Sequence, residues 1–224
     1  GALNKIYRTS NFGTSWDSSS VAPVWKVEDL VHKDGSTWAC GRNILLRSTN
    51  IGENWITTTF VPILQQMNLS SIYIIDSLRI FVVSYEWNSY PLTGWAGRVQ
   101  KSTDGGSSWT NSLIIYGSSS RLLNKISFID SNSGFVGGYN SFFYTTNAGA
   151  NWTEGSGAIN MEVENLHFLD AETGYCIGND YIPPVGNACV KYTTNHGSNW
   201  NNQLSIGGQI YTSQFNGVYF ANNL

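Results

Sequence analysis

The chain has 224 residues and a net charge of −3, from 12 Lys+Arg against 15 Asp+Glu, and neither sign forms a block. This pattern argues against nucleic acid as a partner. Because no run of about 18 apolar residues occurs, membrane insertion is not expected either.

One nine-residue motif recurs along the chain, and its clearest copy runs from Lys101 to Trp109. Each copy reads basic or aromatic residue, Ser/Thr, Ser/Thr, Asn/Asp, any residue, Gly, two further residues, and Trp. Spread over the chain, the copies give about 45 residues per unit, the length of a four-stranded propeller blade. The copies end at Trp16, Trp55, Trp109, Trp152 and Trp200.

Four strands, A to D, are predicted in each unit, in a fixed order. Strand A is an alternating apolar segment, and strand B opens with a small or apolar residue followed by an aromatic one. Strand C runs into the motif, and strand D follows its Trp, so that the motif forms the turn from C to D. The five predicted A strands are Leu30 to Asp34, Ile72 to Asp76, Ile126 to Asp130, Leu166 to Asp170 and Val218 to Asn222.

The two ends of the chain supply only parts of a unit. Before the first motif there is room for strand C, Asn4 to Thr9, and after the last unit there is strand A, Val218 to Asn222. We favour a ring of five blades closed by a composite blade, and a fragment of a six- or seven-bladed ring is the alternative. Since open sheet edges are costly in solution, self-association through the terminal blade is a third reading.

The Asn or Asp of the motif has a structural explanation. Its side chain can accept backbone N–H bonds from the residues that follow, and the Gly supplies a positive φ. A neutral Asn is also a poor calcium ligand. We therefore assign a turn-forming role to Asn11, Asn50, Asp104, Asn147 and Asn195.

The complete unit resembles the Asp-box (BNR) repeat family, and looks most like propellers related to the photosystem II assembly and stability factor, which also occur in secreted bacterial proteins. The resemblance implies an all-β propeller of four-stranded antiparallel blades, forming a single domain over residues 1–224. It does not specify function, because Asp boxes also occur in sialidases, xyloglucan-cleaving glycosidases and sortilin-type receptors. The assembly role depends on a basic patch in that family, and this acidic chain shows no such cluster.

Two B-to-C connections are longer than the others and rich in aromatic residues, over residues 85–96 and 179–187. Loops usually favour small polar residues, and exposed aromatic rings suit stacking on sugars or anchoring a protein partner. The alternative is that the loops bury their own aromatic rings. The candidate ligand-binding residues are Trp87, Tyr90, Trp95 and Tyr181.

Acidic pairs precede two of the predicted A strands, Glu28 with Asp29 and Glu162 with Glu164. A glycosidase requires two carboxylates flanking the scissile bond, so if the protein is an enzyme, Glu28 and Glu164 are the candidate catalytic residues. They are equally well explained as solvated residues at the entry to a blade.

No cofactor or metal site is expected, because the three His and three Cys have no ligand spacing. Cys176 and Cys189 are predicted either to form a cross-strand disulfide or to be small buried residues. We expect a non-catalytic extracellular module that binds glycan or protein, with a glycoside hydrolase or lyase and a strand-exchanging assembly subunit as alternatives. The low Lys content and many Asn, Ser and Thr residues favour a secreted or periplasmic location.

Overall fold

The computed structural model describes residues 5–21, 26–58, 67–88, 94–117, 122–155, 159–180 and 187–206. Within these residues the protein is all-β, with four four-stranded antiparallel sheets, one two-stranded sheet and no helix. The strands are β1 (Lys5–Arg8), β2 (Asp17–Ser20), β3 (Val27–Lys33), β4 (Ser36–Gly41), β5 (Ile44–Ser48), β6 (Ile56–Thr57), β7 (Asn68–Ile74), β8 (Ile80–Asn88), β9 (Gly94–Ser102), β10 (Thr110–Gly117), β11 (Leu123–Phe128), β12 (Gly134–Gly138), β13 (Ser141–Thr145), β14 (Thr153–Glu154), β15 (Met161–Phe168), β16 (Thr173–Asp180), β17 (Asn187–Thr194) and β18 (Asn201–Ile206).

Each four-stranded sheet contains one predicted unit, with strands A to D paired in chain order. Strands β3, β7, β11 and β15 are the A strands, and β1 with β2 are the predicted strands C and D of an incomplete unit. The predicted A strand at Val218 to Asn222 lies outside the described residues. The architecture is that of a β-propeller, as the repeat predicted.

The nine-residue motif forms the turn between strands C and D by the predicted mechanism. In its best copy, Asp104 Oδ1 accepts the backbone N–H of Ser108 at 2.8 Å, and the Ser102 hydroxyl donates to the same Oδ1 at 2.8 Å. The equivalent Asn oxygens accept from residues 15, 54, 151 and 199, each at 2.9 Å. Gly106 has φ +88°, so a residue with a side chain would be strained there. In each copy the Asn or Asp side chain therefore bonds the backbone of its own turn.

Neighbouring sheets pack face to face through aromatic rings. Phe128 of one A strand lies 4.7 Å, centroid to centroid, from Phe81 of the preceding B strand. Phe168 stacks on Phe135 in the same way at 3.5 Å. The motif Trp rings lie beside these pairs, with Trp152 6.3 Å from Phe128 and Trp200 6.1 Å from Phe168. Two of the interfaces between sheets are therefore built from the same aromatic cluster.

All four A strands carry a β-bulge near their beginning. The pairing with strand B shifts between Val27 and Asp29, and at the same place in the other three sheets. In three sheets the bulge brings a backbone carbonyl against a Gly of strand B, and a Cβ on Gly138 would lie 1.7 Å from the Leu122 oxygen. The bulges therefore explain the Gly that ends the B-strand pattern at Gly41, Gly138 and Gly178.

Where the structure describes the long B-to-C connections, their residues belong to strands rather than loops, which corrects the sequence-based expectation for those residues. Strand β8 continues to Asn88 and β9 starts at Gly94, so that Trp87 and Trp95 are paired across the hairpin. In the other connection, Asn179 and Asp180 end β16. Strand pairing continues into both hairpins, which the insertion length alone did not reveal.

The three cysteines are buried and free. This selects the second of the two readings for Cys176 and Cys189, small buried residues in the core. The Cys176 thiol lies 3.5 Å from the Met161 sulfur, inside the cluster between β11–β14 and β15–β18.

Candidate functional site

The candidate site is built from the four residues at the bulges of the A strands. They occupy one structural position, the bulge near the beginning of each described A strand, and they surround the same end of the central channel. Two of them are uncharged and two are carboxylates. The four residues are Glu28, Ser70, Asn124 and Glu164.

The two uncharged bulge residues join one sheet to the next. Ser70 Oγ donates to the Leu123 carbonyl at 3.1 Å, and Asn124 Nδ2 donates to the Val163 carbonyl at 3.2 Å. Each acceptor is the residue before the bulge of the following sheet. An ionised carboxylate cannot donate such a bond, so Glu28 and Glu164 cannot make this connection in the ionised state.

Glu28 and Glu164 instead share an electrostatic environment at the channel mouth. Glu28 Oε2 lies 2.7 Å from Lys26 Nζ, and the Glu28 side chain is 23% exposed. Burial raises the pKa of Glu164, the negative charges of Glu162 and Glu28 raise it further, and Lys26 opposes them. The two predicted carboxylates occupy equivalent bulge positions, within strands β3 and β15 rather than before these strands.

A cross-channel ion pair lies one residue further along β3 and β11. Asp29 Oδ2 is 3.0 Å from Lys125 Nζ, and it also accepts the Ser71 hydroxyl at 2.9 Å and the Ile72 N–H at 3.1 Å. With its oxygen occupied by three donors, Asp29 serves the structure of the channel. It connects strands β3, β7 and β11 below the mouth.

Two aromatic residues lie at the same end of the sheets as these carboxylates. The hydrogen bond with Glu28 raises the pKa of Lys26, and Tyr85 pairs with Asn68 at the start of β7, two residues before the bulge at Ser70. The Tyr85 hydroxyl accepts a hydrogen bond from Asn68 Nδ2. The half-buried ring of Trp95 lies 6.1 Å from the Tyr85 ring at an interplanar angle of 57°.

The structure describes two of the four predicted aromatic residues. Trp95 lies beside the mouth, and Trp87 is its cross-strand partner in the register of the hairpin. Tyr90 and Tyr181 lie outside the described residues. Sequence reasoning missed Tyr85, although it lies opposite Gly97 in the ladder, where the absence of a side chain leaves room for a ring.

The other end of the channel holds a cleft of about 350 Å³ that is lined by paired polar groups. Arg79 Nε donates to Asp76 Oδ2 at 2.7 Å, and Tyr73 OH donates to the Phe128 carbonyl at 2.7 Å. Lys33 Nζ donates to the Ile74 carbonyl at 3.2 Å. Because these groups bond one another, this cleft is a weaker candidate than the mouth.

Two buried carboxylates occupy equivalent ends of the long B strands. Glu86 is fully buried and receives Arg98 Nε at 2.8 Å and Arg98 Nη2 at 2.6 Å. Asp180 is 1% exposed, and its oxygens have no hydrogen-bond partner in the described part of the chain. The Glu86–Arg98 pair is intact and belongs to the core of the hairpin.

The described residues contain no group of three His, Cys, Asp or Glu side chains that could hold a metal ion. The same part of the chain has no helix long and apolar enough to cross a membrane.

Comparison with known proteins finds likeness only among solved structures, since no family model and no curated protein matches the sequence. An ancestral GH74 enzyme superposes with a TM-score of 0.70 at 19% identity, over 90% of this chain and 28% of that one. The GH74 enzyme of Niastella koreensis gives 0.60 at 15% identity, over 89% of this chain and 34% of that one.

YCF48 bound to D1 peptide is a further structural neighbour, with a TM-score of 0.51 and 16% identity, over 78% of this chain and 67% of that one. This chain thus spans about a third or less of the length of the two GH74 enzymes. At these identities the likeness concerns the fold alone, and the fold is a β-propeller.

Proposed function

We propose that this protein is a non-catalytic module that binds a glycan or a protein segment at the channel mouth. The observation that carries the proposal is that the Tyr85–Trp95 pair and the bulge carboxylates Glu28 and Glu164 lie at the same end of their sheets. Aromatic faces offer apolar contact area, and the charged groups offer directional hydrogen bonds. A small number of convergent polar groups beside apolar walls is typical of ligand sites.

Glycan is the partner that we favour, because carboxylates accept hydrogen bonds from hydroxyl groups while a ring stacks on the sugar face. A peptide is the alternative partner, and it would use Trp95 as an anchor. The structural neighbours include both GH74 enzymes and a peptide-bound protein, which makes both partner types reasonable subjects for the same assay.

A glycan and peptide array tests this proposal. Trp95→Ala and Trp87→Ala should each weaken binding by roughly tenfold or more, since a stacked ring contributes about 1–3 kcal/mol. Phe12→Ala is the matched aromatic control, because Phe12 is exposed in a motif turn at the opposite end of the channel. Unchanged binding in both Trp variants would remove the proposed surface.

Glycoside hydrolysis is a second candidate function, favoured by one observation. Burial, and then the charges of Glu162 and Glu28, raise the pKa of Glu164, and glycosidases use a carboxylic acid of raised pKa together with an ionised carboxylate. In this reading Glu164 protonates the leaving oxygen, and Glu28 acts as base or nucleophile. Loss of all turnover in both Glu164→Gln and Glu28→Gln would support it, and intact substrate with the unmodified protein would eliminate it.

A further inference from the structure

Two basic side chains at the end of the channel opposite the mouth depart from the repeat unit. Lys33 directly precedes the turn Asp that follows strand A, where the other four-stranded sheets have an aliphatic residue. Arg79 lies two residues before the aromatic residue of strand B, where the other four-stranded sheets have Ser or Thr. The counterparts of Lys33 are Ile75, Ile129 and Leu169, and those of Arg79 are Ser36, Ser133 and Thr173.

These two departures converge on one cleft although they come from different sheets. Lys33 ends β3, and Arg79 lies in the turn between β7 and β8. Both line the cleft of about 350 Å³, whose volume is in the range of small-molecule sites. Lys33 reaches toward the neighbouring sheet, since its Nζ donates to the Ile74 carbonyl at 3.2 Å. Two unusual residues in separate units therefore supply positive charge to the same space.

The turn between strands A and B does not require the Arg79 side chain. Asp76 Oδ1 accepts the backbone N–H of Arg79 at 2.8 Å. Asp130 Oδ1 accepts the N–H of Ser133 in the same way at 2.6 Å, so the same turn forms with Ser at this position. The guanidinium group is held by the other oxygen, Asp76 Oδ2, through Nε at 2.7 Å and Nη2 at 2.6 Å. This ion pair orients Arg79 without using Nη1.

Lys33 and Arg79 keep hydrogen-bond donors for an anionic group in the cleft. Arg79 Nη1 carries two N–H groups and makes one long bond, 3.4 Å, to the Ser131 carbonyl. Lys33 Nζ carries three N–H groups and bonds the Ile74 carbonyl. A carboxylate has two acceptor oxygens, so it can bond both cations while the Arg79–Asp76 ion pair stays intact.

Asp130 restricts the kind of anion that fits. Its carboxylate is exposed and lines the same cleft. Backbone N–H bonds from Asn132 and then Ser133 lower the pKa of Asp130, so it is ionised at neutral pH and repels a bare anion. A ligand that also carries hydroxyl groups can donate one of them to Asp130. The cleft therefore favours a hydroxy acid over a simple carboxylate.

The walls of the cleft are apolar and firmly placed. Tyr73, Ile75 and Ile129 are half-buried and line it. The Tyr73 ring lies 5.3 Å from the Phe128 ring, and its hydroxyl donates to the Phe128 carbonyl at 2.7 Å. These side chains can contact the C–H face of a sugar ring while the charged groups bond its polar substituents.

We propose that this cleft binds an acidic sugar of the hexuronic acid class, with its carboxylate between Lys33 Nζ and Arg79 Nη1, a hydroxyl group on Asp130 and its C–H face against Ile75 and Ile129. The site lies at the opposite end of the channel from the mouth. It is a second site, and it does not depend on the function proposed for the mouth.

Calorimetric titration of the unmodified protein with glucuronate tests the ligand class. One glucuronate per chain is expected, with an affinity that falls as salt rises, because salt screens the charge interaction. The methyl ester of glucuronic acid and glucose, which lack the charge, should each bind at least tenfold more weakly. Equal binding of glucuronate and its ester, or no binding of glucuronate at millimolar concentration, would overturn the proposal.

Variants that restore the common residue of the repeat test the location. Lys33→Ile and Arg79→Ser should each weaken glucuronate binding by about tenfold or more, because each removes a charge-assisted hydrogen bond. Both residues occur at these positions in other sheets, and an unchanged melting temperature verifies the fold. Lys5→Ile, at an exposed Lys of β1, is the matched control and should bind normally.

The same titration separates this cleft from the mouth. Trp95→Ala should leave glucuronate binding unchanged, whatever its effect on other ligands. Glucuronate binding that is lost in Trp95→Ala but intact in Lys33→Ile and Arg79→Ser would place the acidic sugar at the mouth and would overturn the assignment to the cleft.

Discussion

The bulges of β7 and β11 occupy the same structural position as those of β3 and β15, but the side chains at the two pairs of bulges have different roles. Ser70 and Asn124 donate to carbonyls of the following sheet and hold the ring together. Glu28 and Glu164 cannot do so as carboxylates; Glu28 pairs with Lys26 instead, and burial raises the pKa of Glu164. One repeated backbone feature therefore supplies connections between sheets in one half of the ring and a charged surface in the other.

The largest expected effect comes from replacing the Asn124 amide, which connects two sheets, with a carboxylate like those of Glu28 and Glu164. Asn124→Asp removes the donor to Val163 and places a half-buried carboxylate against a carbonyl, so the free energy of unfolding should fall by about 2–3 kcal/mol. Denaturant unfolding at neutral pH measures it, with Asn54→Asp in an exposed motif turn as control. Equal stability of the two variants would show that the Asn124 bond does not hold the sheets.

The cross-channel ion pair should give the next largest effect. Lys125→Met leaves Asp29, whose side chain is 18% exposed, without its cationic partner. Because Ser71 and Ile72 still donate to Asp29, we expect a loss of about 1–2 kcal/mol. The double variant Lys125→Met/Asp29→Asn should recover part of it in the same unfolding assay. Additive losses would mean that the two groups are not coupled.

A smaller effect of opposite sign is expected from Glu164→Gln. Since the folded-state pKa of Glu164 is raised, its ionisation destabilises the fold as pH rises from the unfolded value near 4.3 through the folded value. The Gln variant lacks this loss and should be more stable at neutral pH, while below pH 4 the two proteins converge. Stability curves from pH 3 to 8 check this, and parallel curves would contradict it.

Asp104 should show the smallest effect, confined to acid. Hydrogen bonds from the Ser108 side chain and backbone and from Ser102 lower its pKa to about 2. Its contribution to stability is thus present above the unfolded value near 3.9 and is lost as pH falls toward 2. Asp104→Asn, which reproduces the residue of the other four copies, should lose less stability over this range in thermal unfolding. A steeper acid loss in the Asn variant would refute the assignment.

The fold could be predicted from the sequence because the same motif and the same strand pattern recur along the chain. The motif turns, the order of strands and the incomplete sheet β1–β2 all follow from residue types at fixed spacing. The proximity of Glu28 and Glu164 could be proposed, since both precede equivalent apolar segments. The bulges could not be predicted, because they depend on how the strands pair. Without the bulges, the sequence does not show that Asn124 and Glu164 occupy equivalent positions with different roles.

The aromatic residues illustrate the opposite case. Counting residues between strand B and the motif located the two long connections but assigned Trp87 and Trp95 to a loop. The register pairs them across a hairpin and adds Tyr85 to the same region. Insertion length does not distinguish a longer loop from a longer ladder, and only the pairing does.

The most direct test of the central claim, that Glu28 and Glu164 form one site at the channel mouth, is an NMR titration of the Glu164 side-chain carboxyl carbon. The structure predicts a pKa above the ordinary glutamate value, which should fall toward that value in Glu28→Gln and in Glu162→Gln. A Glu164 pKa at its ordinary value and indifferent to Glu28→Gln would contradict the shared site.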